Sequence, residues 1–163
     1  DEASGWKPGK PSVFLNTPAD EKEAMFSPDG RWIAYDSNES GRFEVFVRPF
    51  PGPGGKWQIS TGSGSGPTWS RTRHELLYPG PDNRIMAASY TVDSDSFKAD
   101  KPRLWSEQAI LPRLRPPFFD LHPDGERLAV AVAAGGQAKE KIDKVTFVVN
   151  FFDELRRIAP PSK

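Results

Sequence analysis

The chain has 163 residues, with 22 Lys plus Arg against 22 Asp plus Glu, so its summed field offers no long-range attraction to phosphate backbones or anionic lipid. Nucleic acid is therefore not an expected partner. Seventeen Pro, 14 Gly and 12% aromatics describe short strands punctuated by turns, no apolar run approaches the ~20 residues of a bilayer-spanning helix, and the lack of cysteine removes disulfides and thiolate metal sites.

Residues 1–11, rich in Gly, Pro and Lys, read as a loop or linker. The opening Asp1-Glu2, with neither Met nor a signal-like apolar stretch, predicts a fragment or a mature product. A short strand, Ser12-Val13-Phe14-Leu15-Asn16, is expected next, and Thr17-Pro18 breaks it. Residues 24–27 read as a strand ending at Pro28, whose missing N–H suits a turn, and Asp29-Gly30 supplies the positive φ of a tight hairpin. Arg31–Asp36 and Phe43–Pro49 follow as strands joined by Asn38-Glu39-Ser40-Gly41, and Lys56–Ser60 as a fourth, outer strand.

The order then repeats. Pro67–Trp69, Glu75–Tyr78, Arg84–Val92 and Arg103–Ile110 read as strands, and so do Phe118–Leu121, Arg127–Ala133 and Val145–Phe151. Ala134–Lys144 reads as a charged loop between the last two, and residues 153–163 as a tail with at most one helical turn. Three segments align: Phe26-Ser27-Pro28-Asp29-Gly30-Arg31-Trp32, the degenerate Trp69-Ser70-Arg71-Thr72-Arg73-His74-Glu75, and Leu121-His122-Pro123-Asp124-Gly125-Glu126-Arg127. Ser27 lies 43 positions before Ser70, and Ser70 lies 52 before His122. A repeat of roughly 40–50 residues carrying several short strands is the signature of β-propeller blades. The expected fold is thus all-β, a propeller fragment of about three four-stranded antiparallel blades over 12–158. The blades are 22–61, 66–110 and 117–152, the last without its outer strand, which residues 12–16 would complete.

Ser27-Pro28-Asp29-Gly30-Arg31-Trp32-Ile33-Ala34-Tyr35, with Phe26 before it and Asp36-Ser37 after, resembles the WD-like repeat of TolB-type propellers. The stretch Glu44–Ser60 and the closing Val148-Val149-Asn150-Phe151-Phe152-Asp153-Glu154-Leu155-Arg156-Arg157 are similar to the C-terminal propellers of bacterial membrane-anchored serine/threonine protein kinases. The resemblance implies a kinase domain and a membrane span N-terminal to residue 1, and an extracytoplasmic place for this part. None of the kinase apparatus is in the chain itself: there is no Gly-rich loop ahead of a strand lysine, no His-Arg-Asp and no Asp-Phe-Gly. The implied role is a non-catalytic sensor or interaction module that binds a protein, a peptide or a cell-envelope ligand, with no cofactor. Two alternatives are a TolB-type periplasmic scaffold and the non-catalytic propeller of a serine peptidase.

No residue reads as catalytic. His122 occupies the position of Ser27 and is expected to bond its own turn, His74 is expected to be solvated, and Ser27 and Ser70 lie in no Gly-x-Ser-x-Gly elbow. Asp93, Asp95 and Asp100 form the most acidic loop, but Lys98 and Leu104 stand where an EF-type calcium loop needs Gly and Glu. The candidate ligand-binding residues are Arg113 and Arg115, an Arg pair on a Pro-stiffened connector that suits an anion, and Trp105. Trp6, Trp57, Trp69 and Trp105 suit a sugar- or peptide-binding face, although Trp57 and Trp69, as aromatics repeated once per blade, suit packing between blades better; Trp32 reads as core. An open three-blade array leaves two apolar faces in water, which predicts either a twofold homodimer closing a six-bladed ring or closure by further N-terminal blades.

Overall fold

The computed structural model describes residues 9–111 and 118–132, which lie in the first of two units, Asp1–Ala133 and Ala134–Lys163. The described residues are all-β, with antiparallel sheets of four, five and two strands and no helix.

The first sheet runs β1 (Glu21–Phe26), β2 (Trp32–Ser37), β3 (Glu44–Pro49) and β4 (Trp57–Gln58), in that order. β2 is buried at all six positions because both of its faces are covered. Trp32 and Ala34 join Val45 and Val47 of β3 on one face, while Ile33 and Tyr35 join Phe46 on the other. This is the period-two alternation seen in the sequence, with apolar groups on both sides.

The second sheet comprises β5 (Thr68–Trp69), β6 (Glu75–Pro79), β7 (Arg84–Asp93), β8 (Ser96–Ala99) and β9 (Arg103–Ala109). β7 shares one edge between two partners: its first half pairs with β9 and its second half with β8. Its faces also divide. Leu76, Tyr78, Ala88 and Tyr90 pack against the first sheet, whereas Leu77, Ile85 and Ala87 pack with Phe119, Leu128 and Val130 of the third. That third sheet is the hairpin β10 (Phe119–Leu121) and β11 (Leu128–Val130). The three sheets are therefore stacked face to face.

The three repeats close with one and the same backbone bond. Ser27 N–H donates to the Trp32 carbonyl at 2.8 Å, Ser70 to Glu75 at 2.9 Å and His122 to Arg127 at 2.9 Å. The degenerate turn keeps its shape because its polar groups replace Pro-Asp-Gly. Arg73 N–H donates to Ser70 Oγ at 3.2 Å and Glu75 N–H to the Arg73 carbonyl at 2.8 Å.

Several expectations change. Residues 12–16 form no strand: the backbone bends at Phe14, Leu15 packs on Ile33, Tyr35 and Phe46 of the first sheet, and among the described residues the segment has no ladder partner to convert its alternation into a strand. β1 starts earlier than expected, at Glu21, with a bulge between Lys22 and Met25 that sets Glu23 at φ 55°. Lys22 is held there, its ammonium 3.6 Å from the Phe43 ring centre. The acidic stretch after Val92 is a hairpin instead of an open loop, with Asp93 paired to Ser96 across Ser94-Asp95. It delivers Phe97, 2% exposed, among Trp32, Trp57, Trp69 and Tyr90, with ring centres 4.9–6.1 Å away. The expected strand Val145–Phe151, the loop Ala134–Lys144 and the tail fall outside the described residues.

Candidate functional site

β1, β5 and β10, the first strand of each sheet, meet around a cleft of about 730 Å³. Its walls come from equivalent positions of the repeats, four in the first and third and three of those four in the second: residues 25–28 of the first, Thr68, Trp69 and Arg71 of the second, and 120–123 of the third. Two of those positions differ most in chemistry between repeats. Met25, Thr68 and Asp120 are equivalent, as are Pro28, Arg71 and Pro123. Of the two rows between them, one is apolar throughout, with Phe26, Trp69 and Leu121, and the other brings Ser27 and His122 to the cleft.

The cleft is held open by main-chain and turn bonds. Trp69 Nε1 donates to the Met25 carbonyl at 3.0 Å, tying β5 to β1. Thr72 Oγ1 donates to the Asp124 carbonyl at 3.0 Å, and an Arg73–Glu126 contact of 2.6 Å joins the second and third turns. Gly125 sits between them at φ 74°, and a Cβ there would lie 2.3 Å from Thr72 Oγ1. Only glycine fits both the left-handed backbone and the close approach. Met25 and Phe26 nevertheless remain 43% and 53% exposed, a large apolar offering to solvent beside the charged Arg71 and Asp120.

The polar side chains at the rim are committed to their turns. Ser27 Oγ donates to Asp29 Oδ1 at 2.5 Å and accepts from Trp32 N–H at 3.0 Å. Burial alone would raise the Asp29 carboxyl, but the Ser27 hydroxyl, the Arg31 amide and the Arg31 charge outweigh it and hold it below the usual carboxylate range. His122 Nδ1 accepts from Asp124 N–H at 3.2 Å, and Arg127 Nη2 lies 3.1 Å from Nε2. The Glu126 amide, with Arg127 and His122, holds the exposed Asp124 well below its ordinary value. No hydrogen bond joins Ser27 to His122 among the described residues.

Behind the cleft, the connector between the first two sheets is clamped by buried carboxylates. Glu44 accepts from the Ser60 hydroxyl and from Gly62 N–H at 3.0 Å. Asp36, fully buried, accepts from Gly66 N–H at 3.0 Å through Oδ2, while Oδ1 has no partner. Burial, reinforced by the Glu23 charge and opposed by the Gly66 bond, pushes Asp36 up to about 7.

Of the residues expected to bind a ligand, only Trp105 is among the described residues. Trp105 is half-buried on β9 against the cluster facing the third sheet, and Arg113 and Arg115 lie outside the described residues. Trp57 and Trp69 pack between the first two sheets and Trp32 is core. His74 is exposed, with its ring stacked on Tyr90 at 5.3 Å. Asp95 pairs with Arg31 at 3.9 Å, and among the described residues no three His, Cys, Asp or Glu gather to hold a metal. The lining residues Met25, Phe26, Thr68, Arg71 and Asp120 were missed, although their fixed offsets from Ser27, Ser70 and His122 pointed to them. No family model matches the chain, and no curated protein matches it.

Proposed function

We propose that the chain is three blades of a β-propeller and works as a non-catalytic interaction module, taking an extended protein or peptide segment into the cleft between β1, β5 and β10. The observation that carries this reading is the lining itself. Equivalent positions of three repeats face one space, with an apolar row flanked by positions whose polarity differs from repeat to repeat. A rigid stack of sheets presenting variable groups at one end suits recognition, since those groups can change without disturbing the packing behind them. Exposed Met25 and Phe26 supply apolar anchors, while Arg71 and Asp120 supply a charge of each sign to fix orientation.

The resemblance of Glu44–Ser60 and Val148–Arg157 to kinase-linked propellers supports the narrower reading of the module as the extracytoplasmic sensor of a membrane-anchored kinase. Ring closure by a second copy completes six blades on this reading. The test is selection of peptides from a random displayed library, followed by binding to Phe26→Asp and Asp120→Arg variants. Peptides that lose at least tenfold in affinity on both variants support the cleft; peptides indifferent to both overturn it. A kinase domain and membrane span encoded upstream would support the narrower reading, and a hydrolase domain there would replace it.

A further inference from the structure

We propose that a second, smaller groove, between the first and second turns, binds a phosphate group. The groove encloses about 330 Å³ and shares only Pro28 and Arg71 with the cleft, so the proposal stands whether or not the cleft takes a peptide. One wall carries Arg31 and Asp29, the other Arg71 and Arg73, with His74 beside them. Three guanidiniums and one carboxylate thus line the groove, while Asp95 and Glu126, beside Arg31 and Arg73, lie outside its lining.

The donors are fixed but not used up. Arg31 Nη2 donates to the Ser94 carbonyl and lies 3.9 Å from Asp95, and Arg73 Nη2 bonds Glu126 at 2.6 Å. Each guanidinium carries five N–H donors, so anchoring through Nη2 leaves the others free while restricting the side chain. Arg71 is exposed and has no hydrogen-bond or ion-pair partner among the described residues. The lining carboxylate is turned to its own hairpin through one oxygen: Asp29 Oδ1 accepts from Ser27 Oγ and from Arg31 N–H at 3.1 Å. Ser70, 2% exposed, lies in the wall, and the His74 ring lies flat on Tyr90.

The arrangement favours a tetrahedral dianion over a carboxylate. A planar carboxylate is satisfied by one guanidinium fork, whereas a phosphate has three oxygens that accept from separate directions. Here the forks come from two opposed turns. The same chemistry is offered by free inorganic phosphate and by the phosphomonoester end of a larger molecule.

The test is titration of the ¹⁵N-labelled chain with inorganic phosphate at low ionic strength, with acetate and chloride at matched ionic strength as comparisons and glycerol phosphate as the ester. The expected result is a saturable shift confined to the amides of 29–32 and 70–74 that acetate does not reproduce. Arg71→Ala should weaken it by about tenfold or more, the loss expected for one charge-assisted contact. Arg84→Ala should leave it unchanged, since Arg84 pairs with Asp82 and Glu107 elsewhere. Saturable binding of glycerol phosphate at the same amides assigns the ester end as ligand, and binding of inorganic phosphate alone assigns the free ion. Shifts spread over the surface, an equal response to acetate, or unaltered affinity in Arg71→Ala overturn the proposal. The wild-type shift map decides even if a variant fails to fold.

Discussion

The indole N–H of Trp69 donates to the Met25 carbonyl at 3.0 Å, joining the first strands of the first two sheets across 44 positions of sequence. Trp69 also meets Tyr90 edge-on at 5.2 Å and is 5% exposed. Trp69→Phe keeps a ring but loses the donor and part of the packing, for an expected cost of about 1–3 kcal/mol. Urea unfolding should show an earlier midpoint with an unchanged slope, and an unaltered midpoint would mean that the contact does not hold the sheets together.

Phe97 should matter more than any charge on its hairpin. Its ring stacks on Tyr90 at 4.9 Å and is enclosed by three tryptophans, so Phe97→Ala is expected to cost about 3–5 kcal/mol. Asp95→Asn removes only an exposed contact with Arg31 at 3.9 Å and should change stability by less than about 0.5 kcal/mol. Thermal unfolding of the two variants side by side checks the order.

Asp36 predicts an inverted pH dependence. Its carboxyl titrates near 3.8 when unfolded and about 7 when folded, so the unfolded chain releases the proton first. The group's contribution is fully present below pH ~3.8 and is lost as pH rises to about 7, on the order of 2–4 kcal/mol. Asp29 and Asp124, both depressed, work in the opposite sense and lose their contributions as pH falls through the acid range. Asp36→Asn keeps an acceptor for Gly66 N–H and should flatten the decline between pH 4.5 and 7.5 in denaturant titrations; an unchanged slope would count against a buried, protonated Asp36.

Gly125→Ala should be destabilising by roughly 1–3 kcal/mol, from left-handed strain and the clash with Thr72 Oγ1. Thr72→Ala removes the clashing atom at the expense of its bond to the Asp124 carbonyl, so the double variant should lose less than the sum of the singles. Strict additivity in a double-mutant cycle would show that the second and third turns do not touch.

The turns and most strands were legible because they depend on local chemistry. Asp29-Gly30 and Asp124-Gly125 mark positive-φ corners, and the alternation of Val45 and Val47 with Phe46 reports a strand covered on both sides. Phe97 was not legible, since Asp93, Ser94 and Asp95 read as a solvated loop until their hairpin places the ring in a distant core. The phosphate groove was hidden for the same reason: Arg31 and Arg71 belong to different repeats, and only sheet packing brings them to one space. Ser12–Asn16 erred in the opposite direction, with strand-like alternation but no edge to pair with among the described residues.

The central claim is that the three repeats converge on one cleft, and EPR distances between spin labels test it most directly in a chain free of native cysteine. Pro28, Arg71 and Pro123, at equivalent positions, are each replaced by Cys in pairs and labelled. Convergence about the common axis of a six-bladed ring predicts a 28–123 separation of only about 1.7 times the 28–71 and 71–123 separations. A parallel stack with sheets ~10 Å apart would instead make the 28–123 separation about twice each of the others, and that result would contradict the account.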